Sequence, residues 1–225
     1  MAKTNTMQLK MMNNGNTYQI DPDKYESLES LFIYAKESMK HPCMYHFLSH
    51  IEDPEEFRKS KRYLIRLFER ALKRQYKKGS KENTKRKTES KQVVPDVLVA
   101  YSIEYKLTSQ KEIDGDSDAY KYGHDRTKEK LPFLHIHFYV IADCKLANAA
   151  WFPNMGRLSL NQIKGLRAGR YFRSNKGELY KSLKTDYDDA FSKILYIGKT
   201  EQKSPEIPYR KAFDTSEIKK LLVAG

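Results

Sequence analysis

The pattern of apolar and polar positions predicts two helices in the first third of the chain. Residues 25–39 carry apolar side chains at helical spacing. A second helix is expected to begin after Asp53, whose side chain can accept hydrogen bonds from free backbone N–H groups, with Pro54 in the first turn. We expect this helix to end at Gly79. Residues 1–20 lack such a period and are predicted to form a loose arm.

Two strands joined by a long polar loop are predicted next. In residues 96–107 apolar and polar positions alternate, so that one face is apolar and the other is polar and includes Glu104. Residues 131–142 form the second strand, and residues 108–130 are read as the loop between them. This order favours an antiparallel pair.

The last third alternates between the two kinds of element. We expect a short helix at residues 159–168, a weak strand at 170–173, a helix over 185–203 and a short C-terminal helix after residue 215. At the start of the helix predicted over residues 185–203, Thr185 and Asp188 have the spacing of a capping box.

These elements predict an α+β fold, with a central antiparallel sheet flanked by helices and preceded by a helical N-terminal extension. Residues 1–92 would form the extension with a basic linker, and residues 93–225 the sheet domain. The chain is long enough to bury a core without a disulfide. Cys43 and Cys144 are therefore expected to be free thiols, as in a reducing cytoplasm.

Composition adds a strong positive charge to this picture. The formal net charge is +13, which favours a polyanionic partner and above all nucleic acid, although solubility alone would also explain it. In the basic linker, Lys85, Arg86 and Lys87 are candidate phosphate contacts. The first residues contain no apolar segment like that of a secretory signal, and no apolar run approaches the roughly 20 residues that span a membrane. We therefore expect a cytoplasmic protein without a secretory signal or a membrane partner.

The second strand carries a candidate metal site. His135 and His137 flank Ile136, so both imidazoles project from one face of a strand. If the two strands pair, Glu104 would add a carboxylate, and such mixed ligands suit Mn²⁺ or Mg²⁺. Two polar residues on an open sheet face are the plainer alternative. Other candidate ligands lie in the preceding loop: His124, Asp125 and Glu129.

The helix predicted over residues 185–203 carries a second candidate. At 100° per residue, Tyr196, Lys199 and Lys203 share a stripe that faces away from the apolar side. A phenolate or a phosphate would be favoured among these cations. An ordinary surface tyrosine beside solvated lysines is the alternative.

The order of the two motifs, HIH on a strand and then Y-x-x-K on a helix, resembles the HUH endonuclease superfamily. That superfamily includes rolling-circle replication initiators, conjugative relaxases and single-strand transposases. HIHFYVIAD, the GRL at 156–158 and the YIGKTEQK at 196–203 look most like the replication proteins of filamentous phages and their prophage relatives. The resemblance covers about residues 96–215. No second tyrosine shares the stripe of Tyr196, which favours the single-tyrosine type.

The resemblance implies an HUH or RRM-like palm that nicks and rejoins single-stranded DNA and so initiates rolling-circle replication in a bacterial host. His135, His137 and Glu104 would hold Mg²⁺ or Mn²⁺. Tyr196 would form a 5′-phosphotyrosine, and Lys199 would stabilise the phosphate or the tyrosinate. Single-stranded or origin hairpin DNA and the host replication helicase or polymerase are the implied partners. Together with the basic linker, this activity gives Lys85, Arg86, Lys87 and Lys203 as the expected DNA contacts.

Other functions remain open from the sequence. A non-catalytic nucleic-acid-binding module would explain the charge and treat both motifs as coincidence. A single-strand transposase would use the same chemistry, although the N-terminal extension is long for that type. A metal-independent RNA nuclease could use the histidine pair for acid–base catalysis. Tyr171 and Phe172 could stack on bases or pack in the core.

Overall fold

The computed structural model describes residues 7–10, 17–85, 93–108, 131–144, 149, 151–171, 179–200 and 212–217. Its strands are β1 (Met7–Lys10), β2 (Thr17–Ile20), β3 (Pro42–Ile51), β4 (Val97–Thr108), β5 (Leu131–Asp143), β6 (Leu166–Tyr171), β7 (Lys181–Ser182) and β8 (Phe213–Thr215). Its helices are α1 (Pro22–Ser38), α2 (Pro54–Lys61), α3 (Leu64–Lys85), α4 (Phe152–Leu160), α5 (Tyr187–Ile194) and a 3₁₀ helix (Leu195–Gly198).

Some sequence predictions lie outside these residues. They are the loop beyond Thr108 with its candidate ligands, and all but the first two residues of the helix predicted after residue 215. They also include the side chains of the following residues: His124, Asp125, Glu129, Arg86, Lys87, Phe172 and Lys203.

An antiparallel sheet organises the described part of the chain. The strand order is β6-β3-β5-β4-β8, and β7 also pairs with β3. Strand β5 lies between β3 and β4 and is antiparallel to both, which confirms the predicted pairing of β4 with β5. Helices flank the sheet. The predicted α+β class, with an antiparallel sheet flanked by helices, is therefore confirmed.

Strand β3 corrects the expectation that the N-terminal part is a helical extension. It lies inside the sheet, and the sheet therefore takes strands from both sides of residue 92. The segment PCMYHFLSHI is buried on both faces along most of its length, so it lacks the alternation of a half-exposed strand. The loose arm is also wrong for its described residues, because β1 and β2 pair as antiparallel strands.

The two faces of the sheet are covered by different helices. Helices α3 and α4 pack on one face, where the rings of Phe68 and Phe138 have centroids 4.9 Å apart. Helix α1, helix α5 and the 3₁₀ helix pack on the other face together with Tyr139. The side of β4 that was predicted to be polar faces this second layer, and its polar residues Ser102 and Glu104 are fully buried there.

The predicted helix over residues 53–79 is two helices. Helix α2 ends at Lys61, and α3 begins at Leu64 and continues through Gly79 instead of ending there. The predicted cap is confirmed, because the Asp53 carboxylate accepts a hydrogen bond from the backbone N–H of Glu56 at 3.0 Å. Fixing the first turn in this way starts α2 where the sequence indicated.

Two later elements are displaced from their predicted positions. The short helix expected at 159–168 lies earlier, as α4, and the strand expected at 170–173 begins earlier, as β6. Gly165, with φ of +80°, makes the turn into β6. Cys43 and Cys144 are free thiols, as predicted, and both are buried. Among the described helices, none combines the length and apolar character needed to cross a membrane.

Candidate metal centre

Paired strands bring Glu104, His135 and His137 together on one face of the sheet. Glu104 of β4 lies opposite His135 of β5 in the strand register, and Ser102 lies opposite His137. One ligand atom from each of the three residues lies within 4.8 Å of the other two, and all three side chains are buried. This group could hold a metal ion.

The protonation of His135 suits a metal ligand. Its Nδ1 lies 3.1 Å from the carbonyl oxygen of Phe133. A carbonyl oxygen only accepts hydrogen bonds, so Nδ1 carries the proton and Nε2 keeps the lone pair that a metal requires. Burial lowers the pKa of His135 to about 4, so the ring is neutral at neutral pH. The Phe133 ring stacks on this imidazole with centroids 4.6 Å apart.

His137 is oriented by a residue that the sequence did not single out. Its Nδ1 lies 2.8 Å from Nε2 of His46 on β3. If Nε2 of His137 binds a metal, Nδ1 carries the proton and donates it to His46. The His46 ring stacks on Tyr139 at 4.1 Å, and the Tyr139 hydroxyl donates to the carbonyl of Lys193 at 3.1 Å. Burial, and next the charge of His137, lower the pKa of His46 well below its usual value.

His46 was missed because it lies on β3, whose continuous apolar pattern hid the strand. Once that strand is known, alternation places His46 on the same face as Leu48, which is paired with His137 in the register. The available signal was therefore a histidine within an apolar run of strand length.

Lys199 forms a buried ion pair with Glu104, the carboxylate of this candidate metal site. Its Nζ lies 2.9 Å from Oε2 of Glu104, and neither side chain is exposed to solvent. Lys199 follows the 3₁₀ helix, where its backbone forms a bridge with Ile20 of β2. Strand β2, which lies in a segment predicted to be a loose arm, thus holds this lysine in place.

The helix expected over residues 185–203 is shorter, and its capping box does not form. Helix α5 ends at Ile194, and the 3₁₀ helix ends at Gly198. The residue before the first turn is Asp186 and makes no side-chain capping bond. Tyr196 and Lys199 therefore do not share an α-helical stripe, because the chain changes its winding between them.

Tyr196 nevertheless reaches the cluster. Its ring meets the His137 ring edge to face with centroids 5.2 Å apart, and Nζ of Lys199 lies 3.4 Å from its ring centroid. The hydroxyl donates a hydrogen bond to Glu104. Burial, followed by the charge of Glu104, raises the pKa of Tyr196 well above its usual value. Tyr196 is half-buried among these groups and does not lie on an open helix surface.

Two residues predicted to contact DNA or its bases lie in described elements other than those that form this centre. Lys85 is the last residue of α3, which packs on the opposite face of the sheet. Tyr171 is the last residue of β6. The structure thus unites two imidazoles, a carboxylate, a phenol and an ammonium group from three separate parts of the chain.

Comparison of the chain with protein-family models, with curated proteins and with solved structures finds no match.

Proposed function

We propose that this chain is a metal-dependent HUH-type endonuclease that nicks and rejoins single-stranded DNA through Tyr196. The observation that carries the proposal is the edge-to-face contact, at 5.2 Å between centroids, of the Tyr196 ring with His137, a member of the buried group that could hold a metal. A module that only binds nucleic acid has no need of the buried charges of Glu104 and Lys199, because charged side chains are costly to keep out of water.

The donor set fits a divalent cation. Two histidines and one carboxylate offer the mixed nitrogen and oxygen ligands that Mn²⁺ accepts, and Mg²⁺ could bind with additional waters. We assign Glu104, His135 and His137 as the ligands. The ion would supply positive charge that polarises the scissile phosphate.

The side chains of this chain account for the rest of the reaction. The Tyr196 oxygen forms a bond to phosphorus, and the bond from phosphorus to the 3′ oxygen breaks. The phenol gives up its proton and the 3′ oxygen takes one up, leaving a 5′-phosphotyrosine and a free 3′ hydroxyl. Glu104 orients the hydroxyl, and the Lys199 ammonium beside the ring would offset part of the rise in the pKa of Tyr196 that burial and Glu104 cause. Because a phosphodiester is retained, the same steps in reverse reseal the strand.

This activity suits the start of rolling-circle replication, in which a strand is cut and later rejoined. The proposed substrate is single-stranded DNA or an origin hairpin in the cytoplasm of a bacterial host. A replication helicase or polymerase of the host would extend the free 3′ hydroxyl.

A covalent adduct assay tests the proposal. The protein is incubated with a random-sequence library of single-stranded oligonucleotides and Mn²⁺, and adducts are separated by denaturing electrophoresis and mapped by mass spectrometry. We expect an adduct on Tyr196 that is absent with EDTA and in Tyr196→Phe. Tyr18→Phe is the matched control, since the Tyr18 ring lies 5.8 Å from that of Tyr196.

Two results would contradict the proposal. Attachment through another tyrosine would reassign the nucleophile. Retention of DNA without metal and without any adduct would favour the binding module instead.

A further inference from the structure

The outward side of α3 is a continuous positive surface. Between Leu64 and Lys78, the part of α3 whose side chains are described, six residues are exposed cations, and we call them the α3 basic face: Arg66, Arg70, Lys73, Arg74, Lys77 and Lys78. The inward side is apolar and packs on the sheet, where Phe68 contacts Phe138. From Leu64 to Lys78 the sequence contains one acidic residue, Glu69, and its side chain is half-buried.

This arrangement opposes helix stability. Like charges four residues apart destabilise a helix, and the face contains such pairs, for example Arg66 with Arg70. The neighbouring helix α2 has the opposite arrangement, because Arg58 pairs with Glu55 at 2.9 Å and Lys59 pairs with Glu56. Repulsion along α3 would be relieved by a polyanion that lies along it.

The composition of the face indicates the form of that polyanion. Sites for single strands place aromatic rings among the cations so that bases can stack. Between Arg66 and Lys78 every exposed side chain is Lys or Arg. The face can therefore contact phosphates but offers no aromatic ring on which a base could stack. The face is about 18 Å long at 1.5 Å per residue. One strand of a duplex presents about five phosphates over that length.

The face is also separate from the metal centre. Helix α3 packs on the side of the sheet that carries Phe138, whereas His137 projects from the other side. A nucleic acid on α3 therefore leaves Tyr196 accessible. We infer that the α3 basic face binds the phosphates of double-stranded DNA adjoining the strand that is cut, an inference that rests on the proposed function for the identity of the polyanion.

A salt titration tests the inference. Binding of a fluorescent duplex of about two helical turns is followed by anisotropy at several salt concentrations in EDTA, so that metal plays no part. The variant Arg70→Gln/Arg74→Gln/Lys77→Gln removes three cations of the face. We expect the slope of log K against log salt to flatten by about 2.7, at about 0.9 per phosphate contact.

The matched control removes the same charge elsewhere. Arg58→Gln/Lys59→Gln/Lys164→Gln changes exposed residues outside α3, and we expect it to leave the slope nearly unchanged. Circular dichroism checks that both variants are folded. An equal loss in both variants would overturn the inference, because the effect would then be one of net charge.

Additional measurements distinguish duplex DNA from other possible partners, and they separate this inference from the proposed nicking activity. Equal affinity for a single strand of the same length, or binding of phosphatidylglycerol vesicles without binding of duplex, would also overturn the inference. The triple variant of α3 should still form the covalent adduct on a short single strand. An absent adduct in wild type would defeat the proposed nicking activity yet leave the duplex measurement interpretable.

Discussion

Removal of the Lys199 ammonium is the sharpest test of how the centre is held together. In Lys199→Met an apolar side chain of similar length takes its place, and the Glu104 carboxylate loses the positive charge 2.9 Å away. Both side chains are fully buried, so water cannot replace the lost partner. The uncompensated charge then destabilises the folded state.

The expected magnitude follows from this burial. Breaking a buried ion pair by removing one partner costs about 3–5 kcal/mol, whereas replacing both partners by uncharged groups is often nearly neutral. We therefore expect Lys199→Met to lose about 3–5 kcal/mol of unfolding free energy. The double variant Glu104→Gln/Lys199→Met should recover most of that loss. A loss of this size is a large share of the roughly 5–15 kcal/mol that stabilises a typical domain.

Urea unfolding in EDTA measures these values for the wild type, both single variants and the double variant. A loss below about 1 kcal/mol in Lys199→Met, or strictly additive losses in the double variant, would refute the buried pair. The same variant should bind Mn²⁺ more tightly, because the ammonium that competes for Glu104 is gone. Weaker binding in isothermal titration calorimetry would contradict this role.

Three further predictions concern the metal centre and the turn that leads into β6. His46→Leu should weaken Mn²⁺ binding about 10–100-fold, since His137 loses its hydrogen-bond partner, and His46→Asn should restore part of the affinity in calorimetry; equal affinity in all three proteins would contradict the positioning role. The depressed pKa of His135, about 4, means that stability is intact above pH 6.5 and falls as pH drops from 6.5 towards 4, by about 3 kcal/mol in EDTA; urea unfolding at several pH values should show this fall and its reduction in His135→Gln. Gly165→Ala should cost about 1–3 kcal/mol by the same measurement, because φ is +80° and a Cβ would lie 2.5 Å from the backbone nitrogen of Phe57, and an unchanged midpoint would argue against this turn.

Local patterns predicted the elements whose signal lies within a few residues. Asp53 caps α2 because a side-chain oxygen and the N–H groups of the next turn are neighbours in any helix start. His135 and His137 share a face because strand side chains alternate wherever the strand lies. The pairing of β4 with β5 followed from two such strands in succession.

Other features had no local signal. Strand β3 is buried on both faces, so its apolar run has no period that separates it from a loop or a helix. The predicted end of α3 at Gly79 failed because glycine is tolerated inside a helix at a cost. Helix α5 ends at Ile194 and is followed by the 3₁₀ helix and then by the backbone bridge from Lys199 to Ile20. Each outcome depends on contacts between distant segments.

The amino-acid sequence by itself therefore determined the charge, the paired imidazoles and the antiparallel strands that carry them, since these depend on composition and on the geometry of a single strand. The tertiary structure alone decided that Glu104 is buried against Lys199, that Tyr196 reaches it, and that His46 supports His137. The physical reason is that strand register and the layer packed above it set these distances, and both arise only when residues far apart in the chain pack together.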